Sequence, residues 1–383
     1  MASTHPQDRS MRKIVKWGLF GLALSALYYL LHDILFVSIG IGRKIQTIEE
    51  FPWTCTRLQH PLLEGCEDMW LDHHGRKLYA ACTSIESRQG WSPGGNLFNI
   101  SARSRTDHIS VIDIDRPMSD GLYGLRTLKL DGFPRDIDLH GFDVHRTGDR
   151  LRFWLINHQP AVNDATGEFL DPKTAGANST IEIFDLDNSS EVLQYVKTIA
   201  SDSIVSPNNV AVDSDGVGAV ITNDHNSKVG TFHCNFAAKN GFAFPNGIIR
   251  GQNGMFYVAN SISGVVGIYR LKNGQLNQVD TVSLGYPLDN ISVDSQGSVI
   301  AAAIADSVQF VKSMGNPYNV VAPAAVFSIH ETSDGKHEFR KMVEDKAAKA
   351  LPSSTIAVHD VQSHLLFLAG IFSPFITRCE KYD

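Results

Sequence analysis

Six times along this chain of 383 residues the same short unit recurs: a polar element, a short apolar strand, a turn usually rich in Asp, Gly, Asn or His, and a second apolar strand. The copies are LEGCEDMWLDHHGRKLYAACTS near 63, LHGFDVHRTGDRLRFWLIN near 139, SPNNVAVDSDGVGAVITND near 206, FPNGIIRGQNGMFYVAN near 244, LGYPLDNISVDSQGSVIAAA from 284 and SSTIAVHDVQSHLLFLAG near 353. Apolar runs bounded by such turns are β-hairpin signals. Self-similar hairpins at blade-like intervals predict an all-β chain folded as a six-bladed β-propeller, in which small sheets surround a central channel. A β-sandwich also contains many hairpins, but it has no reason to repeat one polar dipeptide at one end of each. The intervals run from about forty to about seventy residues, so the longer ones must carry loops. SRQGWSPGGNLFNISARSRTD and QPAVNDATGEFLDPKTAGANS have the composition of surface loops. Helix is scarce in this part, with VEDKAAKAL predicted as one short helix before the last strand pair.

The N-terminus differs in kind. Arg9, Arg12, Lys13 and Lys16 precede WGLFGLALSALYYLL, and the apolar character resumes after His32 and Asp33. Residues 17–41 are long enough to span a bilayer and lack the short core of a cleaved leader, which predicts a signal-anchor helix. The basic residues 1–16 would stay cytoplasmic, 42–54 would link, and a propeller domain over 55–383 would face the secretory lumen or the exterior. Secretion follows instead if the anchor is cleaved. A net charge of -7, with no basic patch interleaved with aromatics beyond the extreme N-terminus, argues against nucleic acid as a partner. In an oxidising compartment cysteines pair, but five of them admit many combinations. A bridge between Cys55 and Cys379 would close nearly the whole lumenal chain into a ring. Asn99, Asn178 and Asn188 head glycosylation sequons that suit a lumenal chain.

In a propeller the first strand of each blade lines the channel, so the polar residues at those strand starts converge. The set is Glu67 and Asp68, Asn208 and Asn209, Asn246, and Asp289 and Asn290. One Asp-Asn before a strand is more often a turn bonding its own backbone. Four such sites in matched positions point instead to a shared cation shell. Carboxylates and amides offer only oxygen, which suits calcium with its six to eight irregularly placed ligands and disfavours zinc. The DHHG at 72–75 lies between two strands and reads as a solvated turn, as does His145. His140 occupies the polar position of its repeat and His158 follows the next strand, where a histidine beside a metal can act as general base on water or serve only as a hydrogen-bonding group. No GxSxG elbow suggests a serine nucleophile.

With CED before a strand, LHGFDVH, INHQP, SPNN, TNDH, FPNG, LDNISVD, SSTIAV and the terminal CE in this order, the chain from about Cys55 to Cys379 resembles the paraoxonase and arylesterase family, calcium-dependent lactonases built as six-bladed propellers. The resemblance implies two calcium ions. Glu67, Asn208, Asn246, Asp289 and Asn290 would hold the catalytic one; Asp68, Asn209 and the Phe142 carbonyl would hold a structural one. The family usually has an aspartate where Asn209 stands, so the second ion would be weaker here or absent. The resemblance also implies a histidine dyad at His140 and His158, a supporting role for Asp224, an uncleaved hydrophobic N-terminus and a Cys55–Cys379 bridge. The activity implied is hydrolysis of lactones and aryl esters, a carboxylic ester hydrolase reaction, with slow phosphotriester hydrolysis as a side activity. The alternatives are a gluconolactonase-like or strictosidine-synthase-like propeller enzyme, and a membrane-anchored propeller that uses calcium only to tie its blades and binds a partner.

Overall fold

Alternating apolar residues and the turn chemistry at DHHG, RTGD, DSDG, GQNG, DSQG and DVQSH make each of the six units an antiparallel pair, and the computed structural model has all six. It describes residues 6–225, 227–229 and 244–382. Six inner strands stand around a channel: Asp68–Asp72, Leu139–Thr147, Pro207–Val212, Pro245–Arg250, Leu288–Val293 and Ile356–Asp360. Each meets the next and the last meets the first, so the ring is closed.

Outward from this ring the chain adds strands and forms an all-β propeller. Five sheets reach four or five strands. The third unit is a pair, Pro207–Val212 with Ala219–Asn223, and residues 230–243 after it lie outside the described residues. The expected count of six blades therefore rests on that pair. The last sheet takes Trp53–Leu58 as its outer strand, beside Ile376–Lys381, so the beginning and end of the propeller share one sheet. Cys55 lies opposite Cys379 in that register and the two are disulfide-bonded. A second bridge, Cys66–Cys82, ties the entry of Asp68–Asp72 to the end of Lys77–Cys82. Nothing in the cysteine spacing singled it out.

The core is divided into layers between neighbouring sheets. Leu71, Leu78, Val358 and Phe367 fill the seam between the last sheet and the first, while Ile268, Ile291, Ala301 and Phe327 fill that between two later sheets. Burying each flat apolar face against the next is what holds the ring closed, at roughly 25 cal/mol per Å² removed from water.

Three expectations need correction. VEDKAAKAL is not a helix: it is the end of the strand His337–Glu344 followed by a turn. Buried Asp345 organises that turn by accepting the N–H groups of Ala347, Ala350 and Leu351, and the Lys346 N–H goes to the Gln46 carbonyl. These partners outweigh the helix propensity of the alanines. SRQGWSPGG is not simply a surface loop either. Ser84 caps the short helix Ile85–Gly90, and Arg88, Trp91 and Ser92 are buried. His145 lies in a strand, half-buried and packed against Gly216, and is not in the turn. At the N-terminus a helix spans Pro6–His32 and passes into Asp33–Ser38. Among the described residues no helix is long and apolar enough to cross a membrane.

Candidate functional site

The polar dipeptides reach the channel through β-bulges. Register slips occur between Pro207 and Val210, Pro245 and Ile248, and Leu288 and Ile291, each spanning the polar residues of its repeat. A bulge inserts a residue without a ladder partner and re-aims its neighbours. Two glycines make room for this crowding. A Cβ on Gly141 would sit 2.4 Å from the Asn208 carbonyl oxygen, and one on Gly247 would sit 2.6 Å from the Asn290 Cα. The HGF and PNG spellings are thus required by close approach of neighbouring strands.

Glu67, Asp68, Asn208, Asn209, Asn246 and Asn290 are buried at this end of the channel, with Asp289 half-buried among them. Asn290 is the hub. Its Nδ2 donates to Glu67 Oε1 at 2.6 Å, and its Oδ1 accepts from Asn209 Nδ2 at 2.9 Å. The same Asn209 Nδ2 donates to Asp68 Oδ2 at 3.1 Å, and Asp68 Oδ2 also accepts the Phe142 N–H at 3.0 Å. Thr355, which stands at the polar position of the sixth repeat, donates its hydroxyl to the Glu67 carbonyl and accepts the Asn290 N–H on its own carbonyl. Among the described residues, three buried side-chain oxygens here have no hydrogen-bond partner: Glu67 Oε2, Asn208 Oδ1 and Asn246 Oδ1. Buried polar atoms are almost always paired, so three orphans in one cluster mark a place built for something that binds oxygen.

The electrostatics agree. Burial, then the neighbouring Asp289, pushes Glu67 up to about 8 against the opposing pull of Arg88 and Asn290. Desolvation, then Asp68, pushes Asp289 up to about 7. Burial and Glu67 raise Asp68 well above the usual carboxylate range. Three carboxyls whose ionisation is opposed in this way would be relieved by a cation. Among the described residues no group of three or more His, Cys, Asp and Glu is arranged to hold a metal, so any shell here must draw on the amides.

Next to Glu67 lies the histidine pair. His140 Nε2 is 3.8 Å from Glu67 Oε1, and the His140 and His158 rings meet edge-on with centroids 5.0 Å apart. Burial, then His158 and Arg88, lowers His140 well below its ordinary value. Burial likewise lowers His158 to about 4, with Asp224 pulling the other way. His158 Nδ1 bonds Ser179 Oγ at 2.8 Å and its carbonyl accepts from Trp91 Nε1 at 2.7 Å. Asp224 Oδ1 accepts from Ser206 Oγ at 2.6 Å and bonds His225 Nδ1 at 2.7 Å. The Phe142 backbone meets Asp68 through its N–H. Arg88 is the residue that composition hid. Its Nε and Nη1 donate to the Gly65 and Leu139 carbonyls at 3.0 and 2.6 Å, which holds a buried cation behind the two histidines. Thr355 was legible in SSTIAV as the polar position of its repeat; Arg88 had no such signal.

No family model and no curated protein sequence matches the chain. Among solved structures it is similar to a virginiamycin B lyase from Staphylococcus aureus, 11% identical over 86% of this chain and 100% of that one with a TM-score of 0.43. It is also similar to a putative 6-phosphogluconolactonase from Bacteroides fragilis, with 14% identity, 79% and 76% coverage and a TM-score of 0.42. A luciferin-regenerating enzyme is 11% identical over 86% of this chain and 95% of its own, with a TM-score of 0.45. Likenesses this distant decide nothing about activity. The propeller assignment stands on the sheet order and the closed inner ring.

Proposed function

We propose that this is a calcium-dependent hydrolase of lactones and aryl esters of the paraoxonase and arylesterase type, with a sixth blade completed around Pro207–Val212 and Ala219–Asn223. The observation that carries the reading is the cluster of orphaned oxygens on Glu67, Asn208 and Asn246 beside the Asp289 carboxylate. An all-oxygen donor set of carboxylates and amides fits calcium. Glu67, Asn208, Asn246 and Asp289 would hold it, joined by Asn290 once its Oδ1 gives up the hydrogen bond from Asn209. When bound, the ion supplies Lewis-acid polarisation of an ester carbonyl.

The chain's own residues do the rest. His140 is neutral at physiological pH because burial, His158 and Arg88 disfavour its protonation, so it can accept a proton from water. The new C–O bond forms at the carbonyl carbon, the bond to the leaving oxygen breaks, and the proton on His140 passes to that oxygen. His158, oriented by Ser179, fixes the His140 ring through their edge-on contact. Asp224 holds His225 and Ser206 at the channel mouth. Phosphotriester hydrolysis would be a slow side reaction of the same site. The N-terminal residues 17–41 complete the proposal as a single-pass anchor with a lumenal or exterior propeller. Of the sequons, Asn99 and Asn178 are exposed and Asn188 is half-buried.

The test is a panel of lactones and aryl esters on the purified chain before and after exhaustive chelation. Turnover that disappears in chelator and returns with calcium is expected. Turnover indifferent to chelation would overturn the mechanism, and bound calcium without turnover would favour a partner-binding propeller.

A further inference from the structure

We propose that the channel binds one cation and not two, because the Asn209 amide occupies the place of the second. The inference rests on the calcium reading of the upper cluster and concerns the layer beneath it, at Asp68, Asn209 and Phe142. At the upper level three buried oxygens are unpartnered. One layer down, among the described residues, no side-chain oxygen of Asp68 or Asn209 is. Asp68 Oδ1 accepts the Met69 N–H at 2.8 Å, and Asp68 Oδ2 accepts the Phe142 N–H at 3.0 Å and Asn209 Nδ2 at 3.1 Å. Asn209 Oδ1 accepts the Val210 N–H at 2.7 Å.

A hard divalent cation needs six or more oxygens, and the channel below offers few. It narrows to a cavity of about 40 Å³ whose walls include Met69, Ile248, Ile291, Val293 and Val358. Two oxygen-bearing groups on that wall, Asp143 and Ser292, are engaged too. Asp143 accepts the Val144 and Val212 N–H groups, both at 2.8 Å, and Ser292 Oγ donates to the Ala357 carbonyl at 2.7 Å. A cation between Asp68 and an aspartate at 209 would join the first and third units electrostatically. The Asn209 amide joins them with hydrogen bonds instead, and through Asn290 Oδ1 at 2.9 Å it reaches the fifth unit as well. It does so without adding a charge that needs a counter-ion.

The test is metal stoichiometry on the full chain, stripped with chelator, reloaded with calcium and measured by elemental analysis and calorimetric titration. One calcium per chain is expected for the wild type and two for Asn209→Asp. Asn209→Asp should also melt at a markedly lower temperature in chelator and recover with calcium, a swing larger than in the wild type. Two ions in the wild type would overturn the inference while leaving the hydrolase reading standing. No ion in the wild type would overturn that reading, and this inference with it. An Asn209→Asp chain that still binds only one would show that the amide is not what excludes the second. If Asn209→Asp does not fold, the wild-type count alone decides between one and two.

Discussion

The two ends of the channel are lined by the same repeat and treat their acids oppositely. At the far end four turn aspartates are each paired with a base carried by the next unit. Asp72 meets Arg146, Asp213 meets Arg250 at 3.2 Å, Asp294 meets His359 at 2.9 Å, and Asp360 meets Arg76 at 2.6 Å. The same aspartates accept turn N–H groups, as Asp294 does from Gln296 and Ser298, both at 3.0 Å. At the near end the acids and amides converge with three oxygens unmatched. A paired carboxylate stabilises the fold as it stands, whereas an unpaired one stores a demand for a ligand. Evidence of binding is therefore found in what the near end lacks, and evidence of closure in what the far end has.

Chelation should act on the near end alone and have the largest effect. Hydrolysis should fall by at least about 100-fold, as when a group that stabilises developing charge is removed, while far-UV circular dichroism stays unchanged. Activity without the ion would erase the distinction between the ends. Next in size is Arg76→Ala at the far end. Asp360 is buried, and against the upward push of burial the Arg76 hydrogen bonds, with His73, hold its carboxyl below the usual range. Stranding it should cost about 3 kcal/mol in urea titrations. A cost under about 0.5 kcal/mol would mean that the rim pairs are ornamental. Replacing Cys66 and Cys82 together by Ala should cost about 3 kcal/mol for a loop of that length. Because Cys66 precedes Glu67, calcium affinity should weaken in the same protein, and affinity left untouched would separate the bridge from the site.

pH should split the two ends further. Burial and the neighbouring Asp289 push Glu67 up to about 8 in the fold, against the ordinary glutamate value of 4.5 in the unfolded chain, so the folded chain binds more protons between these values. Stability of the calcium-free protein should therefore fall as pH rises through that window, and calcium should flatten the curve. The Asp360 contribution runs the other way: present above the ordinary carboxylate range, it is lost only on strong acidification. A calcium-free protein equally stable at pH 5 and 8.5 would remove the electrostatic argument for the site. The smallest effect belongs to Asn246→Ala. The change removes an oxygen without a partner together with the amide's hydrogen bond to Asp289, so it should alter calcium-free stability by only about 1 kcal/mol, yet weaken calcium binding strongly.

How much of this was legible depends on how local the cause is. The six inner pairs and the convergence of Glu67, Asn208, Asn246 and Asp289 follow from apolar period and turn residues, which act within about twenty residues. The bulges that present those side chains were not legible, since a register slip is decided by the partner strand. VEDKAAKAL misleads because propensity is local while the Asp345 and Gln46 partners are not. Arg88 sits in a stretch whose Gly, Ser and Pro spell a loop. What buries it is the meeting of Gly65 and Leu139, which lie far apart in sequence.

The shared last sheet and its Cys55–Cys379 bridge have a consequence for damage. A sequence separation of 324 residues puts almost every loop of the propeller inside one covalent circle. Among the described residues of the propeller, the exposed segment from 162 to 174 is where a protease would cut first. A chain severed there would still migrate as one molecule until reduced, with both fragments held in the same ring of sheets. The wound would show only on a reducing gel.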